Sequence, residues 1–422
     1  MNGNQSSFPT KWSMATFIAI LILASSVLAA GQTYTTVYRF KGGNDGERPG
    51  GLISDEAGNL YGTTSLEGGS QSGGTVYQLS ASTGHWTESV IYSFCAQSNC
   101  TDGAGPEAEL VFDTAGNLYG VTSYGGAAGA GVVFELSPQG NTWTETVIYN
   151  FKNYDQPVPG LVFDKAGNLY GAHFSSGEKG RGAVYQLTPS QGGGWTYTAI
   201  CSFGRRNDGF PSHGPIISEA GNLYGTMYYQ PHSPSNGVYE LKPPATKGGA
   251  WTERVLYTFC SQSNCSDGDN PLGRLIFDGK GTLYGTTYWG GASQLGTVFK
   301  LTPQAGAWTE SVVYNFCTQS HCADGENPQG RLLFDGKGNL YGTTLGGGGN
   351  GMRGTLFQLT PPANQGATWT ETVLHRFTGT HGDGSQPLFG VIQGKRGLWG
   401  TAYGGGRNDL CPGGCGPIFL LH

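Results

Sequence analysis

The residues best suited to chemistry stand where this chain departs from its own pattern. They are His173, the run Arg205-Arg206-Asn-Asp-Gly-Phe-Pro-Ser-His213, and Tyr228-Tyr229-Gln-Pro-His232. A histidine and a tyrosine beside arginines can take a proton from carbon and return one to a leaving oxygen. A guanidinium meanwhile neutralises a neighbouring carboxylate, as elimination from a uronate requires. His173, His213, Tyr229 and Arg205 are the candidates for those roles. The same side chains can also simply read a polar or acidic ligand. Tyr124, Phe174, Tyr288, Trp289 and Tyr403 add flat rings at comparable places, suited to sugar faces. No Ser-His-Asp order, paired-carboxylate motif or metal motif accompanies them, which favours binding over catalysis. No cofactor and no metal is expected.

The elements that position these residues are repeats. Gly-Asn-Leu-Tyr-Gly begins at Gly58, Gly116, Gly167, Gly221 and Gly338, with variants at Gly281 and Gly397, spaced 51 to 60 residues apart. A period of that size matches one four-stranded propeller blade. In the second repeat the strand-like runs are 109–113, 117–123, 132–136 and 143–151. The first two are joined by an Asp-x-x-Gly turn that recurs at Asp55, Asp113, Asp164, Asp278 and Asp335. The last repeat has runs at 388–393, 398–402 and 417–421 and then stops, while an orphan fourth-strand sequence, 34–40, stands near the N-terminus. Their pairing would complete a seventh blade and protect strand edges. The expected fold is an all-β, seven-bladed β-propeller of four-stranded antiparallel blades, closed by that pairing, as one domain over residues 31–422.

Loop parity then sorts the chain into two rims. Asp-x-x-Gly hairpins and third-to-fourth turns share one. Blade-to-blade and second-to-third loops share the other, which gathers the variation and is expected to carry function. The expected ligand contacts on that rim are Tyr124, His173, Phe174, Arg205, Arg206, His213, Tyr228, Tyr229, Trp289 and Tyr403. Cys95/Cys100, Cys260/Cys265, Cys317/Cys322 and Cys411/Cys415 lie there as close pairs, read as local disulfides of an exported chain. Zinc held between blades would need cysteines from separate pairs. Cys201, the odd one, replaces a fourth-strand Tyr and reads as a buried thiol. An acidic position recurs in the blade-to-blade loops at Asp45, Asp102, Asp155, Asp208, Asp267, Asp324 and Asp383. Asp-Gly there reads as a turn. Ser266-Asp-Gly-Asp269 hints at calcium but lacks the alternating oxygens of a calcium loop.

Composition narrows the partners. Only 12% of the 422 residues are charged and the formal net charge is -6, with no basic run, so nucleic acid is not an expected partner. Residues 1–30 read as a signal peptide. Lys11 precedes an apolar core over 14–28, and small residues follow at Ala29 and Ala30. The apolar run is short for a membrane span, and none is expected in the mature chain. The expectation is a secreted or periplasmic monomer.

The pattern Asp-x-x-Gly-Asn-Leu-Tyr-Gly-Thr-Thr, then Gly-Gly, Gly-Thr-Val-Phe-x-Leu-Thr-Pro and Trp-Thr-Glu-x-Val, resembles the GloVer tandem-repeat family of secreted bacterial proteins over residues 34–422. That family carries no established activity to transfer. The turn is also similar, more loosely, to propeller repeats of periplasmic glycan-sensing regulators. The resulting expectation is a propeller binding an extracellular polysaccharide or cell-surface component. The alternatives are a polysaccharide lyase or hydrolase working from repeats three and four, and a structural surface protein that binds other proteins.

Overall fold

The computed structural model describes residues 32–422 apart from 67, 69–71, 83–84, 108, 141, 153–154, 175–179, 205–207, 230, 247, 365 and 407–410. The signal-peptide reading and Arg205 and Arg206 therefore lie outside the described residues. Seven antiparallel four-stranded sheets form a ring, a seven-bladed β-propeller. Blade 2 is typical: Val111–Phe112, Leu118–Thr122, Val132–Gln139 and Thr142–Asn150 hydrogen-bond in sequence order. The first strand is shorter than the sequence pattern implied. In blades 1, 3, 4 and 6 it is split in two, as in Glu47–Pro49 and Ile53–Ser54, which pair with opposite ends of Leu60–Leu66. In blade 7, Val391–Gly394, Gly397–Thr401 and Pro417–Leu421 are joined by the N-terminal strand Tyr34–Arg39, paired antiparallel to Pro417–Leu421.

Each residue of the recurring motif has a physical task. In blade 2 the Asp113 carboxylate accepts the Ala115 and Asn117 N–H groups, the Asn117 side-chain amide and the Tyr119 hydroxyl. Burial opposes the charge there, but these donors prevail and hold the carboxyl below its usual range. The final glycine leaves room for the third strand. A Cβ at Gly120 would stand 2.5 Å from the Phe134 ring, and one at Gly62 would stand 2.4 Å from the Tyr77 hydroxyl. Those third-strand rings are fully buried and pack between neighbouring blades. One cluster joins Tyr61, Val76 and Phe94 of blade 1 to Leu110, Leu118 and Phe134 of blade 2.

On the hairpin rim a second aromatic joint recurs. Tyr61 meets Phe112 and Trp143 of the next blade edge-on, at 5.2 and 6.3 Å. Tyr119 meets Phe163 and Trp195, and Tyr284 meets Phe334 and Trp369, in the same way. The first-strand ring is thus a wedge between adjacent blades.

Candidate functional site

The blade-to-blade loops are built around buried carboxylates. Asp102 accepts the Tyr92 hydroxyl and the Ala96 and Gln97 N–H groups. Asp267 and Asp324 repeat the arrangement with Tyr257 and Tyr314. These acids therefore serve as turn acceptors. The three cysteine pairs beside them and Cys411/Cys415, in the second-to-third loop of blade 7, form the four expected disulfides. Each Cys-x4-Cys loop also braces the next blade: Cys100 O accepts Gly126 N at 2.8 Å and Cys265 O accepts Gly291 N at 2.9 Å. Cys201, outside the disulfides, is half-buried with its Sγ 3.7 Å from Glu253 Oε2.

The rim residues singled out from sequence divide into three groups. Phe174 and Tyr228 come together, with ring centroids 6.3 Å apart, and Phe210 bridges Phe174 to Tyr229 at 4.4 and 5.7 Å. The Arg181 guanidinium lies 4.4 Å over the Tyr229 ring. Phe210 and Arg181 did not stand out in the sequence. Elsewhere on the rim, Tyr124 is 56% exposed, Trp289 packs edge-on against Tyr288, and Tyr403 receives Arg48 both on its ring and as a hydrogen bond to its hydroxyl at 3.1 Å.

His173 is placed differently from the rim position expected of it. It is 2% exposed, with Nε2 3.2 Å from the Tyr197 hydroxyl and Nδ1 3.6 Å from Asp155. The reason is its register. In blades 1, 2, 5 and 6 the position holds a threonine bonded across the sheet to the third strand, as Thr64 is to Thr75 at 2.8 Å. A side chain there points into the blade. Met227, its counterpart in blade 4, is 1% exposed. His232 turns toward blade 5: its N–H donates to Asp269 and its Nδ1 lies 3.0 Å from Cys265 Sγ. Those sulfurs belong to a disulfide, so they offer no thiolate to a metal.

His213 lies at the centre of the ring. It lines a cavity of about 20 Å³ with Glu109, Arg274 and Arg331. These side chains come from blades 2, 5 and 6, and groups from non-adjacent blades meet at the axis. Glu109 Oε2 pairs with both Arg274 and Arg331 at 3.2 Å, and Arg274 also donates to Leu161 O at 3.0 Å. One position, immediately before the buried residue that leads into the first strand, supplies Glu109, Arg274 and Arg331, and His213 stands one residue before it. The position reads Gly51, Glu109, Gly160, Gly214, Arg274, Arg331 and Gly390 around the ring. The glycines make room: a Cβ at Gly51 would fall 2.4 Å from the Glu109 side chain. Burial, reinforced by Arg274, pushes His213 down to about 4, so the imidazole is neutral at pH 7. Its Nδ1 and the Arg274 Nε are buried without a protein partner. A cavity of this size admits one water.

Two larger cavities open above this floor and share Pro159, Leu388 and Phe389. One, about 250 Å³, is lined by Ser212, His213, Tyr228, Leu272 and Gln329. The other, about 220 Å³, is lined by Arg48, Ser65, Glu107 and Tyr403. The blade-to-blade and second-to-third loops supply these walls, so the mouth opens on the variable rim. It combines aromatic walls, amide and hydroxyl groups, and a charged floor. Among the described residues no helix is long and apolar enough to cross a membrane.

A family model described as the Gloeobacter/Verrucomicrobia repeat matches residues 25–239 and 162–412. No curated protein sequence matches the chain significantly. Among solved structures, the chain is similar to the extracellular domain of a protein described as a one-component system from B. thetaiotaomicron. There the identity is 10% and the TM-score 0.55, covering 92% of this chain but 40% of that one. A PL25 ulvan lyase matches at 12% identity and TM-score 0.54, covering 93% of this chain and 96% of the other. PorZ, a surface component of the type-IX secretion system of Porphyromonas gingivalis, matches at 14% and 0.50, covering 92% and 48%. At such identities the likeness is one of fold.

Proposed function

Starting from a chain that belongs to the Gloeobacter/Verrucomicrobia repeat family, we propose that this propeller is an exported binding module whose axial mouth takes an extracellular polysaccharide or cell-surface component. The observation that carries the reading is the mouth itself. Tyr228 and Tyr403 stand on its two sides over a floor where Glu109, Arg274, Arg331 and His213 converge. Rings bury the apolar face of a sugar, and the surrounding Ser, Gln and Arg groups bond its hydroxyl or acidic substituents. Four disulfides fit an oxidising compartment. Phe174, Tyr229, Tyr124 and Trp289 extend the same rim outward, where a chain longer than the mouth would run.

One observation favours a lyase as the second reading. A neutral imidazole, His213, and the hydroxyl of Tyr228, whose titration is raised by burial, line one cavity above two guanidiniums. In β-elimination the imidazole would take the proton α to the uronate carboxylate. The tyrosine would protonate the departing oxygen, and the C–O bond would break to leave an unsaturated sugar. A glycan array followed by product analysis tests both readings. Capture that is weakened by Tyr228→Ala and Tyr403→Ala, by about 1–3 kcal/mol each, with no unsaturated ends, supports binding. Turnover that His213→Gln abolishes while capture persists supports the lyase. Capture unchanged in both tyrosine variants overturns the mouth as the site.

A further inference from the structure

The hairpin rim is regular except at the two junctions of blade 7, where the wedge toward blade 6 is Gln393 rather than an apolar side chain. Between the Tyr of one blade and the fourth-strand Trp of the next, the wedge position holds Phe112, Phe163, Ile217, Phe277 and Phe334. Where blade 7 meets blade 1, the corresponding residues are Trp399 and Trp86, and the wedge is Ser54. A serine cannot fill the space of a phenyl ring. A cavity of about 460 Å³ is left there, bordered by both tryptophans, Ser54, Asp55, Lys395 and Arg396. Its size is that of a small-ligand site.

A second departure coincides with the first. The hairpin of blade 7 is one residue shorter than the Asp-x-x-Gly-Asn turns and runs Gly394-Lys395-Arg396-Gly397, with Gly394 and Gly397 paired. Two cations thus occupy a tip that carries an Asp-anchored turn in blades 1, 2, 3, 5 and 6 and a Ser218-anchored one in blade 4. The Arg396 guanidinium lies 5.4 Å over Trp86, and Lys395 Nζ reaches across the junction to Ala57 O at 3.1 Å. Asp55 borders the same cavity, but its Oδ1 accepts Gly58 N and Asn59 N and its Oδ2 accepts the Asn59 amide. Its charge is committed to its own turn.

We propose that this seam pocket binds one anionic sugar unit, a uronate or a sulfated residue, at a site separate from the axial mouth. Trp86, backed by the buried Trp399, receives the C–H face of the pyranose ring, and Lys395 and Arg396 receive its carboxylate or sulfate. The Ser54 hydroxyl is within the same walls for a ring hydroxyl. Both departures from the repeat serve this one outcome: the small wedge opens the space, and the short hairpin supplies the charge.

Intrinsic tryptophan fluorescence reads the site directly. The full mature chain is titrated with oligogalacturonate, a sulfated oligosaccharide and a neutral cello-oligosaccharide. The expected result is a saturable change with at least one acidic probe and none with the neutral one; which acidic probe responds separates carboxylate from sulfate. Ser54→Phe, which restores the wedge of the other blades, should weaken binding by more than about tenfold while the melting temperature holds or rises. Arg396→Gln should weaken it about tenfold with an unchanged fold. The proposal is overturned if neither acidic probe saturates below about 1 mM, or if the neutral probe binds equally. It is also overturned if binding survives Ser54→Phe or, where that variant misfolds, Arg396→Gln. Acidic binding that survives both variants but is lost in Tyr228→Ala belongs to the mouth and likewise overturns the seam pocket.

Discussion

The Glu109 carboxylate and the Arg274 guanidinium, 165 positions apart in sequence, meet at 3.2 Å on the axis of the propeller. Arg331 shares the same carboxylate oxygen. All three side chains are mostly buried, so the pair of cations depends on the single anion between them. Glu109→Gln should therefore destabilise the domain by about 3–5 kcal/mol. Changing Glu109, Arg274 and Arg331 together to Gln should cost less than that single change, since no uncompensated charge remains. Urea denaturation of the two variants checks the order, and a triple variant weaker than the single one would contradict it.

A second electrostatic pattern sits between the blades. Glu145 in the fourth strand of blade 2 lies beside Asp102 of the preceding loop, and burial, then the Asp102 charge, raises its carboxyl to about 7. Glu371 reaches about 7 beside Asp324, and Glu88 and Glu310 reach about 8 beside Asp45 and Asp267, with burial again the larger cause. One oxygen of each is buried without a protein partner. The folded state holds these protons more tightly than the unfolded chain does. Their stabilisation is complete below the usual 4.5 and is lost as pH rises through about 7–8. His213 works in the opposite sense: its depressed pKa costs stability as pH falls from 6.5 toward about 4. Replacing all four glutamates by Gln should raise the melting temperature at about pH 9 and leave it little changed at about pH 5. Equal gains at both values would mean that ionisation is not the cause.

How much of this was legible in the chain depends on whether a residue's task is local. Asp113, Asn117, Tyr119 and Gly120 act within one hairpin and its blade, so their recurrence exposed both the fold and the turn. The cysteine pairs are five or four residues apart and could be read the same way. Glu109, Arg274 and Arg331 act across the ring. Each looks like ordinary variation in its own repeat, and only aligning one position around seven repeats, where four are Gly, marks the axis. His173 misled for a related reason. Its departure from Thr was visible, but the direction of that position, into the sheet beside Tyr197, follows from the register of Leu169–Phe174 with its neighbours. Ser54 was invisible because a serine beside a turn attracts no notice until the Phe112 wedge is known.

The disulfide loops hold backbone that would otherwise relax. In each Cys-x4-Cys loop both cysteines and the residue before the second have positive φ, as at Cys260 (55°), Asn264 (55°) and Cys265 (50°). Left-handed geometry costs a non-glycine residue about 1–2 kcal/mol. Replacing Cys260 and Cys265 by Ser should lower stability by about 2 kcal/mol in the chain-entropy model. It should also raise hydrogen exchange at Gly291, whose N–H donates to Cys265 O. Unchanged exchange at Gly291 would show that the loop keeps its shape without the bond.

The N-terminal strand offers the last test. Tyr34 pairs with Leu421 and Arg39 with Pro417, so nearly the whole strand lies along the final one. Tyr34 stacks on His375 of blade 6 at 3.6 Å, and Phe40 is fully buried among Tyr77, Ile418 and Trp399. The segment thus ties blade 7 to blades 6 and 1, from a position that adjoins blade 1 but lies at the far end of the sequence from blades 6 and 7. Phe40→Ala should cost about 3–5 kcal/mol, as a large buried ring does. Removing residues 32–40 should cost more, because Pro417–Leu421, a strand of wholly buried residues, becomes an open edge that invites aggregation. Adding the excised segment as a synthetic peptide should restore the melting temperature of the truncated protein. If the truncated chain melts like the full one without the peptide, the pairing contributes nothing to stability and the ring holds without it.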